Sequence, residues 1–336
     1  MKNLLVTCKP WSAAKRILSV LLFLTLLFKI NPVLAGNPSP DADDFFILDN
    51  GVDLRKIAGP HVSQLLTPVR GEGNKFGSRE VQRYRELKIN NKEIQWTVND
   101  LQTGKIISSS PNSGEAFFGA SASKIFVAAS LLHKQYGKLD KTRLELIIKM
   151  IVKSDNVAWK ELQRQAGDDG TDDSGRECVN KFVKNIGCAN TRGFQGWLCM
   201  ENGEKIHGNE LNTMALSKFL YDTYHRNYLG ADSLWKIMHA TKTGRQKINK
   251  YTPKHIYIGG KTGTYDGPNE SPQTINFKTI HARNHVAMLK VNDRYYGISI
   301  LSNTGSNNDV AVLGGGLMRE FLDLEETPTC GNDQRN

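Results

Sequence analysis

Gly119-Ala120-Ser121-Ala122-Ser123-Lys124-Ile125-Phe126-Val127-Ala128-Ala129-Ser130-Leu131-Leu132 is the stretch around which the chain is read. Small and hydroxyl residues give way to good helix formers, which predicts a helix beginning close to Ser121. Residues three apart share a helix face, so the amine of Lys124 falls beside the hydroxyl of Ser121. The same placement puts Ser121 among the unpaired N–H groups and at the positive end of the helix dipole. A nucleophile, a base and part of an oxyanion-binding site thus come from four residues.

Taken alone, S-x-x-K arises about once by chance in a chain this long. It also occurs at Ser12 to Lys15 and at Ser233 to Lys236. Only the copy at Ser121 lies in a helical pattern with both Ser154-Asp155-Asn156 and Lys261-Thr262-Gly263-Thr264 downstream. This ordered set resembles the penicillin-recognising serine hydrolases, most closely the class A β-lactamase branch.

The resemblance implies an α/β fold, an antiparallel sheet flanked by terminal helices with a helical lobe inserted between its strands. It implies that Ser121 forms the acyl-enzyme, that Lys124 activates it, and that Ser154 relays a proton to the leaving nitrogen. Asn156 would hold the amide of the substrate side chain. Lys261 with the hydroxyls of Thr262 and Thr264 would bind a carboxylate, and the oxyanion would lie between the backbone N–H groups of Ser121 and Thr264, with Gly263 between the two threonines. Lysine serves as a base only with a lowered pKa, which burial beside a second cation such as Lys261 supplies. The implied substrates are β-lactams or D-Ala-D-Ala peptides of peptidoglycan, with no cofactor and no metal. A sensor that acylates without efficient turnover is the alternative.

Two departures bear on that reading. Only 33 residues separate Ser121 from Ser154, where class A enzymes insert a longer segment that walls the cleft, so a more open cleft is expected. Class A enzymes also carry a Glu-x-x-Leu-Asn loop whose glutamate primes water. Here the nearest register is Gly208-Asn209-Glu210-Leu211-Asn212, with glycine in that place. Glu201 and Glu204 in the same irregular stretch are the candidates for a deacylation base.

The chain opens on Lys2, Lys9, Lys15 and Arg16, an apolar run over residues 17–28, and Val33-Leu34-Ala35 before Gly36. This reads as a cleaved signal peptide over residues 1–35, hence an exported, periplasmic or secreted protein with no stable membrane span after cleavage. The formal charge is +10, and residues 1–35 hold five basic and no acidic residues, which leaves +5 for the remainder. So mild a charge suits anionic wall polymer or lipid and gives no case for nucleic acid. Beyond Cys8, the cysteines at 178, 188, 199 and 330 form an even count, and a disulfide within the 178–199 cluster is expected. Zinc with His207 is the rival, but no C-x-x-C spacing supports it.

In order, residues 36–90 form an N-terminal lead-in of short helices broken by Pro60, Pro68 and a glycine-rich loop, with no chemistry assigned. Residues 91–326 form the catalytic domain and 327–336 a tail. Ile94-Gln95-Trp96-Thr97-Val98-Asn99 alternates with period two and pairs with residues 105–108 in a hairpin. Residues 144–159, 177–186 and 212–228 carry helical spacing. Residues 256–260 lead Lys261 out of a strand, residues 286–291 and 295–301 form a second hairpin, and 308–324 a terminal helix. The duplicate Lys242-Thr243-Gly244 follows a helical run and reads as a helix end with Gly244 as its cap. His281 and His285 read as solvated or core histidines, and Arg283 and Arg294 as further carboxylate-binding candidates.

Overall fold

The computed structural model describes residues 39–89, 91–269 and 278–324. The signal segment, Cys8, Cys330 and the tail lie outside the described residues. Two one-turn helices, Leu54–Ile57 and Pro60–Ser63, precede α1 (Ser78–Lys88) and the hairpin β1 (Ile94–Asp100) and β2 (Ile106–Ser109). A short strand β3 (Phe117–Phe118) leads into the turn carrying Ser121, and α2 (Lys124–Lys134), α3 (Lys141–Val152), α4 (Asn156–Ala166) and α5 (Asp172–Asn185) follow. Then come β4 (Trp197–Cys199), β5 (Lys205–His207), β6 (Glu210–Leu211), α6 (Thr213–Tyr224) and α7 (Ala231–Met238). The chain closes on β7 (Ile258–Pro268), β8 (Thr279–Val291), β9 (Arg294–Ser302) and α8 (Asn307–Phe321).

Five strands form one antiparallel sheet in the order β2-β1-β9-β8-β7. Strands from both ends of the sequence therefore meet in its centre, and the helices between them form the inserted lobe. Alternation along the strands assigns each face a core. Val286 and Met288 of β8 pack with α2, α3, α6 and α7, whereas Ala287 and Leu289 pack with α1 and α8. Emptying a site such as Phe126, fully buried with its ring 4.7 Å from Phe219, costs about 3–5 kcal/mol.

The elements start where local chemistry lets them. Asp140, Asp155, Asn212 and Ser306 cap α3, α4, α6 and α8 by accepting from backbone N–H groups; each such cap contributes about 1 kcal/mol. Asn292 and Asp293 hold φ of 47° and 62°, the conformation a two-residue hairpin turn demands, between β8 and β9. The lead-in is fastened to α8, where Arg83 forms an ion pair with Asp309 at 3.0 Å.

Three expectations need correction. Cys178, Cys188 and Cys199 are all free thiols, so the 178–199 cluster holds no disulfide: Cys188 is buried against the Ala215 carbonyl while Cys199 is exposed on β4. The helix before the duplicate Lys242-Thr243-Gly244 ends at Met238 with His239 as its cap, so Gly244 caps nothing. The chain at Ser121 is a tight 3-10 turn over Ala120–Ser123, and the α-helix begins only at Lys124. The Ser123 hydroxyl donates to the Ala120 carbonyl at 2.9 Å, and the Lys124 N–H bonds back to Ser121, which tightens the turn.

Candidate active site

The three motifs converge. Lys124 is buried at the start of α2, and its Nζ donates to the Ser154 carbonyl at 2.7 Å and to Asn156 Oδ1 at 2.6 Å, with Ser154 Oγ at 3.5 Å. From the opposite side Lys261 Nζ donates to Ser154 Oγ at 2.9 Å and to the Thr262 carbonyl at 2.8 Å. Ser154 thus sits between two ammonium groups, on a backbone with φ of 63°. An L-residue stays in that conformation only where its surroundings hold it there. Asp155 does what its side chain does best, capping α4 through the Ala158 N–H.

Ser121 is half-buried on its turn. No hydrogen bond joins its hydroxyl to Lys124 among the described residues, since the amine is occupied by Ser154 and Asn156. α2 has no side-chain cap because it continues from the 3-10 turn, whose carbonyl at Ser121 already accepts from the Lys124 N–H. Strand β7 approaches this turn closely. A Cβ built on Gly263 would lie 2.6 Å from the Gly119 carbonyl and 3.0 Å from the Ala122 nitrogen, so the middle of the motif must be glycine for Thr262 and Thr264 to lie alongside Ser121.

Two residues absent from the motif reading complete the arrangement. Asn284, fully buried on β8, donates to the carbonyls of Phe118 and Gly119 and accepts from the Ser302 N–H, tying the Ser121 turn to the sheet. Lys247 donates to the Gly263 carbonyl at 2.6 Å, to Thr264 Oγ1 at 3.0 Å and to the Asn284 carbonyl at 3.1 Å. Neither lies in a recognisable pattern, and both reach partners remote in sequence.

These cations shape the electrostatics. Burial pushes the Lys124 ammonium down to about 8, partly offset by Asp155. Lys247 falls to about 7 through burial and then the nearby Arg283. Lys261 is driven well below the ordinary lysine range by burial, then by Lys124 and Lys247. A free amine at Lys124 can take a proton, and an anion bound near Lys261 and Lys247 would favour their charged forms.

The remaining candidates lie elsewhere. Glu201 and Glu204 are exposed, beside and within the turn joining β4 to β5. Gly208 packs on Phe194, and Glu210 is buried in β6, paired with Arg192 at 3.5 Å. Arg283 is engaged by Asp266, Arg294 by Asp100, and His281 by Asp266, while His285 is buried behind Lys247 and bonds the Ile248 N–H. A cavity of about 840 Å³ lined by Glu115, Lys184, Arg192 and Glu210 includes no motif residue. Among the described residues no three His, Cys, Asp or Glu side chains are placed to hold a metal ion, and no helix is long and apolar enough to cross a membrane.

A family model described as the beta-lactamase enzyme family matches residues 136–314, more than half of the 336. The chain belongs to that family. The matched span includes Ser154, Asn156 and Lys261, whereas Ser121 and Lys124 lie just before it. Beta-lactamase VEB-1 of Pseudomonas aeruginosa is 30% identical over 127 residues, which cover 34% of this chain and 38% of that relative. The chain thus matches little more than a third of the length of that curated relative.

Among solved structures, a beta lactamase from Xanthomonas campestris superposes with a TM-score of 0.56 at 17% identity, covering 73% of this chain and 97% of its own. A beta-lactamase from Streptosporangium roseum gives 0.55 at 21%, covering 74% and 100%. A class A beta-lactamase representative from Bacteroides cellulosilyticus gives 0.55 at 17%, covering 75% and 100%. At these identities the likeness establishes the fold, which is that of the β-lactamases.

Proposed function

We propose that this β-lactamase family member is an exported serine hydrolase, acylated at Ser121 by an amide that lies beside a carboxylate, either a β-lactam or a D-Ala-D-Ala peptide. The observation that carries the reading is Ser154 Oγ lying between Lys261 and Lys124 beside the Ser121 turn. Lys124, as the free amine, takes the proton of Ser121 while Oγ bonds to the carbonyl carbon. The tetrahedral oxyanion is received by the N–H groups of Ser121 and Thr264. As the C–N bond breaks, the proton passes from Lys124 through Ser154 to the leaving nitrogen, and Lys124 is again free. Asn156 orients the acyl side chain, and Lys261, Thr262 and Thr264 hold the carboxylate.

Release of the acyl group needs a base on water, which contributes about two to four orders of magnitude. Glu201 and Glu204 are exposed at the β4–β5 turn, which leaves Lys124 to serve both steps unless that hairpin folds inward. Acylation is therefore expected to outrun deacylation with β-lactams, the behaviour of a sensor, while a linear peptide whose leaving group diffuses away turns over better. Mixing the purified protein with a chromogenic cephalosporin tests this, with a stoichiometric burst as the expected result. Mass spectrometry should find the adduct on Ser121, absent in Ser121→Ala, and Glu201→Gln and Glu204→Gln should leave the slow phase within about twofold. An adduct on Ser154 or Ser233 would refute the assignment, and rapid burst-free hydrolysis would refute the slow release.

A further inference from the structure

Strand β7 is an edge of the five-stranded sheet. The segment holding the duplicate Lys242-Thr243-Gly244 runs along its motif end. Thr241 Oγ1 donates to the Gly260 carbonyl at 2.6 Å, and the hydroxyls of Thr262 and Thr243 meet at 2.6 Å. Alternate side chains of the segment thus face alternate residues of β7, while Lys242 between them is exposed and bonds Thr67. Thr243 is half-buried, and its hydroxyl bonds to the side chain of the family motif that follows Lys261.

We propose that Thr243 is a positioning residue of the carboxylate site, its hydroxyl directing the proton of Thr262 onto the anionic oxygen and so favouring a carboxylate over the corresponding neutral ester. The inference rests on the reading that Lys261 and Thr262 receive the substrate carboxylate. A hydroxyl has one proton and two lone pairs. Without ligand, Thr262 donates to Thr243. When an anionic oxygen reaches Thr262, that proton turns to the ligand and Thr243 donates to Thr262 Oγ1 in its place. The two bonds polarise each other, and the gain is larger for a charged acceptor than for an ester oxygen. No covalent bond changes, and the pair stays satisfied in both states.

Equilibrium binding of benzylpenicillin and of its methyl ester to Ser121→Ala, where no acyl-enzyme forms, tests the proposal by calorimetry. The parent should prefer the carboxylate. Adding Thr243→Val should reduce that preference about three- to tenfold, as loss of one supporting hydrogen bond requires, by weakening the carboxylate while leaving the ester unchanged. Thr243→Ser should restore it. No preference in the parent, an unchanged preference in Thr243→Val, equal weakening of both ligands, or a serine variant as poor as valine would each overturn the assignment. Acylation of the wild-type protein is read separately. Its failure with carboxylate preference intact would sink the hydrolase reading and leave the role of Thr243 standing.

Discussion

Residues 242–244 and 261–263 spell the same three letters and live in different environments. Lys261 is completely buried on a strand and reaches Ser154 Oγ, whereas Lys242 is exposed on a loop and reaches Thr67. The threonines differ less, because they bond each other across the gap. Strand register makes the difference: pairing of Lys261 with Val286 and Thr262 with His285 holds β7 so that the lysine faces the helical lobe. The loop copy pairs in register with no strand among the described residues; it is held by the Lys242 N–H bond to the Val152 carbonyl at 3.1 Å and by side-chain contacts, and its lysine turns outward. A triplet becomes chemistry when a sheet fixes which way its alternate residues point.

The largest expected effect breaks the comparison outright. Lys261→Ala should slow acylation of Ser121 by two to four orders of magnitude, since it removes the charge facing the substrate carboxylate and the partner of Ser154. Lys242→Ala should stay within about twofold. Stopped-flow acylation with a β-lactam reads both, and a Lys242 variant more damaged than the Lys261 variant would mean that the wrong triplet has been assigned.

The glycines sharpen it next. A methyl on Gly263 meets backbone at 2.6 Å, the Gly119 carbonyl, and must push the Ser121 turn off β7. A methyl on Gly244 meets side-chain atoms, Asn249 Oδ1 at 2.3 Å and His285 Cε1 at 2.8 Å. Both substitutions should cost about 1–3 kcal/mol of stability in a denaturant melt. Only Gly263→Ala should also slow acylation, by about 10- to 100-fold, and equal slowing by Gly244→Ala would show that the loop copy shapes the turn as strongly as the strand copy does.

What sequence could supply was local. Ser-Asp-Asn announces a helix start because Asp155 caps its own N–H three residues on, and Asn292-Asp293 announces a turn because short polar residues tolerate positive φ. The motifs and the antiparallel sheet with its terminal helices followed from such signals together with the family resemblance. The tight turn at Ser121 escaped because it depends on the Ser123 hydroxyl choosing the Ala120 carbonyl, which competes with the helix that the same letters favour. Asn284 and Lys247 escaped for another reason. Asn284 bonds residues 165 and 166 positions away, and Lys247 a carbonyl 37 positions away, so nothing nearby in sequence marks them. The free cysteines show the limit of counting, because burial of Cys188 and exposure of Cys199 are set by tertiary placement.

The smallest effect separates the two triplets by their neighbours in solution. Lys247, buried behind Gly263 and Thr264, has its ammonium pushed down to about 7, whereas Lys242 is lowered only by partial burial and faces Thr67. A bound carboxylate favours the charged form of Lys247, so its pKa is higher in the complex than in the free site. Affinity for the carboxylate is then fully present below about pH 7 and is lost as pH rises through 7 towards the value in the complex. Lys124 works in the opposite direction, since it must lose its proton near 8 before Ser121 can attack. Turnover mixes the two trends, and binding to Ser121→Ala isolates the first. Between pH 6 and 9 the affinity for benzylpenicillin should fall several-fold in that background. The fall should be smaller after Lys247→Arg, whose guanidinium stays charged throughout and leaves Lys261 to titrate, and should be unchanged after Lys242→Arg. A parent affinity already flat across that range would remove Lys247 from the carboxylate site and leave Lys261 and the threonines to carry it.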